Sequence, residues 1–109
     1  MNCFCESGKT YELKIEGDVG ADPFWCDICG CNLNTEDVPI SGELAEELSS
    51  WAINYGEWID WEKDRLLSNG LEMEDDFNRI GVALTKKVLQ EIGDIYNVKY
   101  SPAKSTSFY

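Results

Sequence analysis

The chain has 109 residues, 43% of them hydrophobic, and a formal net charge of −12 from nine basic and 21 acidic residues. This hydrophobic content is too high for a disordered chain, so the charge belongs to the surface of a folded protein. Affinity for phosphate backbones comes largely from Lys and Arg. The excess of acidic over basic residues therefore excludes nucleic acid as an expected partner and favours basic protein surfaces. The length predicts a single domain, residues 1–109.

The sequence contains no apolar run near the roughly 18 residues that a membrane-spanning helix needs, and no basic stretch followed by the apolar run of a secretion signal. We therefore expect a cytoplasmic protein without a membrane partner. Thiols stay reduced in that compartment, and the five cysteines are an odd number, so a disulfide framework is not expected.

The first predicted element is a strand in a small β unit. Residues 10–16 alternate between apolar and polar side chains, with Tyr11, Leu13 and Ile15 on one side, which is typical of a half-buried strand. A loop containing glycine and aspartate then breaks the strand and leads into the cysteines at 26–31.

Two cysteine pairs have the spacing of metal ligands. Cys26 and Cys29 stand in a Cys-x-x-Cys-Gly turn, in which backbone amides point at the first sulfur and the glycine accepts a positive φ. Cys3 and Cys5 form a tighter pair about twenty residues upstream. Four thiolates brought together match the tetrahedral geometry of structural zinc. The predicted ligands of one structural Zn²⁺ are Cys3, Cys5, Cys26 and Cys29.

These residues resemble a zinc ribbon, the family in which two cysteine turns flank strands and hold one Zn²⁺, and the resemblance covers residues 3–31. It implies a structural metal and no particular function, because ribbons serve many kinds of protein. The chain departs from the pattern in the short first pair and in Cys31, a fifth thiol that competes with Cys26 and Cys29 for the second pair of ligand positions. Buried free thiols or a disulfide are the alternative to a metal site.

A helix is predicted from about Gly42 to Trp61. Ser41 precedes it as the expected N-cap, and Gly56 is a weak point inside it. Apolar residues spaced by four and three positions lie on one face of this helix: Leu44, Leu48, Trp51, Tyr55 and Trp58.

A second helix follows the turn residues 68–70, with Gly93 as its expected C-cap. Its apolar face consists of Met73, Phe77, Ile80, Leu84, Val88 and Ile92. Two facing apolar stripes joined by a short turn predict an antiparallel helical hairpin. Residues 96–100 alternate again and predict a short C-terminal strand that can pair with the first strand, and the chain from Pro102 is expected to fray.

Together these elements predict an α+β fold. A small zinc-ribbon-like β unit packs with the antiparallel two-helix hairpin and the short C-terminal strand. The expected parts of the single domain are residues 1–40, 41–94 and 95–109.

Negative charge is concentrated on the predicted helices. Residues 1–40 carry eight acidic and two basic groups (−6), residues 41–76 carry eleven and two (−9), and residues 77–109 carry two and five (+3). This distribution predicts a protein-interaction surface on the first helix and the start of the second. In the stretch 58–64, aromatic and acidic side chains form either a binding surface or core plus a solvated helix face. The residues concerned are Trp58, Asp60, Trp61 and Asp64.

Histidine is absent from the sequence, which removes the commonest general base and the Ser–His and Cys–His nucleophile pairs, so no enzyme activity is expected. We predict a small zinc-binding acidic protein that acts as a protein–protein interaction module, of inhibitor or immunity type, on a partner with a basic surface. Two alternatives are a zinc-ribbon accessory factor of transcription or translation and a thiol oxidoreductase that uses Cys26 and Cys29. The sequence leaves the oligomeric state open.

Overall fold

A computed structural model describes residues 2–3, 5–63 and 65–103. In chain order the elements are β1 (Glu12–Glu16), β2 (Phe24–Cys26), a 3₁₀ turn (Thr35–Asp37), α1 (Gly42–Ile53), β3 (Ile59–Asp60), β4 (Arg65–Leu66), α2 (Gly70–Ile92) and β5 (Asn97–Ser101). Two helices with a three-stranded and a two-stranded sheet make an α+β fold, as predicted. The chain was predicted to fray from Pro102, and residues 104–109 of this tail lie outside the described residues.

The central strand of the larger sheet is β1. It pairs antiparallel with β2, where Leu13 lies opposite Cys26, and parallel with β5, where Leu13 lies opposite Val98. Leu13 and Ile15 are fully buried, which confirms the alternation in the sequence. The predicted pairing of the C-terminal strand with the first strand is also confirmed. A parallel pair needs a long crossover, and both helices lie in the segment between β1 and β5.

The predicted first strand began too early, because a local turn precedes it. The Thr10 hydroxyl accepts a hydrogen bond from the backbone N–H of Glu12 (3.1 Å). Tyr11 therefore lies outside β1. Its exposed ring packs on Tyr96, with ring centroids 5.5 Å apart, and does not join the core face of the strand.

Ser41 caps the start of α1, as predicted. Its hydroxyl accepts a hydrogen bond from the backbone N–H of Leu44 (3.2 Å). The Glu91 carboxylate in turn accepts hydrogen bonds from the Ser41 N–H (2.6 Å) and hydroxyl (2.9 Å). These contacts fasten the beginning of α1 to the end of α2.

Helix α1 ends at Ile53, well before the predicted end at Trp61. Asn54 is its C-cap, and Gly56 adopts φ +86°, a left-handed conformation that a continuing helix does not allow. The Trp61 indole N–H donates to the Gly56 carbonyl (3.2 Å), which fixes the turn. The prediction of one long helix was wrong because the apolar spacing continues past the glycine although the helix does not.

A β-hairpin connects the two helices, so the predicted short turn between them was also wrong. Strands β3 and β4 pair antiparallel, with Ile59 opposite Leu66. Trp58 reaches the core from this connection and is only 1% exposed. The antiparallel arrangement of the helices is confirmed by contacts that run in opposite order along them: Ser41 with Glu91, Glu47 with Lys87, and Trp51 with Phe77.

The buried face of α2 is rotated from the predicted one. Residues of the predicted face that are buried are Phe77, Leu84, Val88 and Ile92. Met73 is half-buried, whereas Ile80 is 49% exposed. Gly81 is buried in its place. The ring of Tyr100 from β5 packs on Gly81 so closely that a Cβ there would overlap the ring. Gly93 is the C-cap, as predicted.

The core lies between the larger sheet and the two helices and contains a cluster of aromatic rings. Trp51 stacks on Phe77 with ring centroids 4.4 Å apart, and its indole N–H donates to the Phe77 carbonyl (2.9 Å). The rings of Tyr55 and Trp58 are nearly perpendicular, with centroids 5.4 Å apart. Such ring pairs add to the free energy gained by burying their surface.

Over the part of the chain that is described, neither helix combines the length and the apolar character needed to cross a membrane. The cytoplasmic location and the division into residues 1–40, 41–94 and 95–109 stay predictions.

Candidate functional site

Four cysteine side chains converge beside the end of β2. The Sγ atoms of Cys3, Cys5, Cys26 and Cys29 all lie within 4.8 Å of one another. The Sγ atoms of Cys5 and Cys26 are 3.6 Å apart, far beyond the roughly 2.0 Å of a disulfide bond. Four sulfurs bound to one ion at about 2.3 Å in a tetrahedron lie about 3.8 Å apart. The Cys5–Cys26 distance is close to this value and none of the others exceeds 4.8 Å, so the four predicted residues can hold a metal ion.

Two turns with glycines at positive φ present these thiols. In the first turn, the Cys3 N–H donates to the Gly8 carbonyl (3.1 Å), the Gly8 N–H donates to the Cys5 carbonyl (2.8 Å), and Gly8 has φ +73°. In the second, the Gly30 N–H donates to the Cys26 carbonyl (2.9 Å), and Gly30 has φ +78°. A residue with a Cβ would strain either conformation, so glycine allows each turn to close.

Backbone amides point at two of the sulfurs, and the Cys-x-x-Cys spacing predicts the contact at Cys26. The Cys29 N–H donates to Cys26 Sγ (3.5 Å), and the Cys5 N–H donates to Cys3 Sγ (3.3 Å). Burial raises the pKa of the Cys26 thiol, but hydrogen bonds from the backbone N–H of Cys29 and the hydroxyl of Thr10 outweigh it and lower this pKa to about 6. Hydrogen bonding to Cys3, together with burial, raises the pKa of Cys5. No sequence pattern indicates this role of Thr10, which alternation places on the polar side of the first strand.

Cys31 lies outside the set of converging sulfurs. Its carbonyl accepts a hydrogen bond from the Cys26 N–H (3.0 Å), and the residue is half-buried. In the Cys-x-x-Cys turn itself, Cys26 is buried and Cys29 is exposed. A thiol oxidoreductase needs an accessible attacking thiolate, so the burial of the low-pKa thiol does not favour that chemistry.

The stretch 58–64 does not form one surface. Trp58 belongs to the core, whereas Trp61 is 58% exposed and packs on Gly56. The Asp60 carboxylate accepts hydrogen bonds from the two backbone N–H groups that follow Trp61, both at 3.2 Å, and so stabilises the turn between β3 and β4. These residues are not helical, and Asp64 lies outside the described residues.

A groove between α1 and α2 carries part of the acidic surface that the sequence predicts. It contains a cavity of about 530 Å³, and we call it the interhelical groove. The cavity is lined by Glu43, Glu46, Glu47, Ser50, Trp51, Asn54, Ile80 and Leu84. Ile80 was missed as a surface residue because helical periodicity places it in the core.

A family model described as Serratia CdiI immunity protein-like matches residues 11–103. The chain belongs to this family. The matched range contains both helices and all the strands, as well as Cys26 and Cys29, but it begins after Cys3 and Cys5. No curated protein matches the chain.

Membership of the Serratia CdiI immunity protein-like family agrees with the predicted inhibitor or immunity type. An immunity protein acts on a toxin, so membership implies binding to a partner protein and indicates a non-enzymatic role. The matching family is not a zinc ribbon, so the candidate metal centre depends on the geometry of the four thiols alone.

Proposed function

We propose that the protein is an immunity protein that binds a toxin through a basic surface of the toxin and thereby neutralises it. The family match over residues 11–103 is the observation that carries this proposal. The net charge of −12 supports the basic partner, as does the charge of −9 in residues 41–76. Carboxylates presented by an inhibitor can occupy a basic active site in place of an anionic substrate.

Capture followed by a growth assay tests this proposal. The tagged chain captures proteins from its native host, mass spectrometry identifies them, and each is then produced in cells with and without the chain. We expect one captured protein to stop growth alone and to be harmless together with the chain. Rescue from none of them would contradict an immunity function. Binding that does not weaken as salt rises would contradict a basic partner surface.

We further propose that Cys3, Cys5, Cys26 and Cys29 hold one structural Zn²⁺. The spacing of their sulfurs supports this, and four thiolates close the coordination shell, as is usual for structural zinc. Such an ion would fasten the N-terminal turn to the end of β2.

Elemental analysis of the purified chain is expected to give about one zinc per chain. Because metal binding is linked to folding, removing zinc with a strong chelator should lower the urea concentration at the unfolding midpoint. A metal-free chain whose unfolding curve is the same with and without added zinc would contradict the proposal.

The two alternative functions have less support. A transcription or translation factor needs basic groups available to nucleic acid, but near the cysteines Lys99 is paired with Asp27 at 2.8 Å. A thiol oxidoreductase needs its low-pKa thiol exposed, and Cys26 is buried.

A further inference from the structure

We propose that the interhelical groove is the toxin-binding surface, and that it accepts a segment of the toxin carrying Lys or Arg side chains beside an apolar one. This inference rests on the proposed function and names the surface that performs it. The groove extends beyond the cavity already described, because a second cavity of about 210 Å³ shares Trp51, Asn54 and Ile80 with it.

The floor of the interhelical groove is apolar and partly open. Trp51 and Leu84 are buried there, but Ile80 is 49% exposed and belongs to both cavities. Phe77 and the half-buried Met73 continue the floor in the second cavity. Covering an exposed aliphatic side chain in a concave site removes apolar surface from water, which favours a partner with an apolar side chain at this point.

The rim of the groove carries carboxylates, and none of the described residues that line it is basic. These carboxylates belong to Glu43, Glu46, Glu47, Glu57 and Asp76. Glu47 pairs with Lys87 at 2.8 Å, and Asp76 pairs with Arg79 at 2.6 Å. Within residues 2–3, 5–63 and 65–103, no ion pair involves any of the other three. Glu43 also lies near Lys87, so Glu46 and Glu57 are the carboxylates available to the cations of a partner.

Acidic groups around an apolar floor select a basic, amphipathic segment. Lys and Arg cover apolar surface with their aliphatic stems while their charged ends reach carboxylates at the rim. A purely apolar partner would remove water from the carboxylates without pairing them, and an acidic partner would be repelled. The charge of the rim and the exposure of Ile80 thus favour the same occupant.

Two variants test the groove against the captured toxin. The first, Glu46→Lys with Glu57→Lys, reverses two unpaired rim charges. The second, Ile80→Asp, places a carboxylate on the floor. We expect each to weaken toxin binding at least about tenfold and to lose growth protection, because central, well-covered contacts dominate the affinity of an interface.

Matched controls carry the same chemical changes outside the groove. Glu36→Lys with Asp94→Lys changes the net charge by the same amount as the groove variant, at two exposed positions. Val82→Asp adds a carboxylate on α2 at a position that is 42% exposed. We expect these controls to bind within about threefold of the unmodified chain, because only long-range attraction changes. Urea unfolding of all four variants verifies that they fold.

A probe that needs no toxin is a short peptide with Lys and Leu at helical spacing, compared with a peptide in which Glu replaces Lys. The chain labelled with ¹⁵N reports where the peptide binds. We expect the Lys peptide to shift the amide signals of Asn54, Ile80 and their neighbours, and the Glu peptide to shift none of them.

Failure of the groove and failure of the immunity function give different results. Groove variants that protect as well as the unmodified chain would overturn the groove and leave the immunity function standing. If the unmodified chain neutralises no captured protein, the immunity function fails, and the peptide decides about the groove. Peptide shifts confined to the groove support it, whereas shifts elsewhere, or none, overturn it.

Discussion

Cys29 and Cys31 are two positions apart in the sequence, yet only the Sγ of Cys29 lies with those of Cys3, Cys5 and Cys26. The difference follows from the turn, in which the Cys29 N–H donates to Cys26 Sγ (3.5 Å) while the Cys31 carbonyl pairs with the Cys26 backbone (3.0 Å). The backbone hydrogen bond to Cys26 thus fixes the position of Cys31. The hydrogen bond from the Cys29 amide to Cys26 Sγ fixes the position of Cys29.

Replacing these two thiols separately tests the ligand set. Cys29→Ser removes one of four sulfurs, so we expect it to release zinc at a chelator concentration that the unmodified chain withstands. Cys31→Ser is the control and should keep its zinc. The measurements are zinc content and the urea midpoint. Loss of zinc from Cys31→Ser with retention in Cys29→Ser would show that the ligand set is wrong.

The approach of Cys26 and Cys29 to each other could be predicted from the sequence because a Cys-x-x-Cys-Gly turn is closed by local backbone geometry. The exposure of Ile80 could not be predicted from the sequence. It depends on Gly81, whose missing side chain admits the Tyr100 ring, and Tyr100 comes from β5. A contact between residues distant in sequence rotates the helix face, and periodicity within one helix contains no information about it.

At the scale of elements, the segment between α1 and α2 differs most from the prediction. Gly56 has φ +86°, and a Cβ there would lie 2.9 Å from the Trp61 ring. The helix therefore ends, and the chain forms the β3–β4 hairpin. The sequence contains the glycine, but its effect depends on a tryptophan that packs on it after the turn has formed. Helix α1, α2 and the outer strand β5 were predictable because their signals are local.

Gly56→Ala is expected to lower the free energy of unfolding by about 1–3 kcal/mol, since alanine disfavours the left-handed conformation and its Cβ displaces Trp61. Urea unfolding measures the loss.

Gly20→Ala is the matched control for this variant. Gly20 has φ +69°, and apart from its two chain neighbours no residue has an atom within 4 Å of the position that an alanine methyl group would take, so alanine there carries the backbone strain alone. We expect a smaller loss of stability than in Gly56→Ala. Equal losses in the two variants would show that the Trp61 contact contributes nothing to stability.

At the scale of the whole molecule, charge opposes compactness. A net charge of −12 on 109 residues produces self-repulsion in the folded state, and the ion pairs at the surface contribute little against it. The same charge that favours a basic partner thus lowers the stability of the free protein. Binding such a partner would relieve this repulsion.

Raising sodium chloride from about 0.01 M to 0.15 M shortens the Debye length from about 30 Å to about 8 Å. We therefore expect the urea midpoint of the free chain to rise with salt. The double variant Glu36→Lys with Asp94→Lys has a less negative net charge and should gain less. A midpoint that stays constant or falls would contradict self-repulsion as a destabilising term.

The parallel pairing of β1 with β5 also determines the order of events during synthesis. Hydrogen bonds between these strands join residues 85 positions apart, such as Asn97 and Glu12. At about 5–20 residues per second, a ribosome delivers β5 about 4–17 s after β1. Throughout that interval the central strand of the sheet has one unpaired edge. A newly made chain can therefore complete its fold only after β5 has emerged.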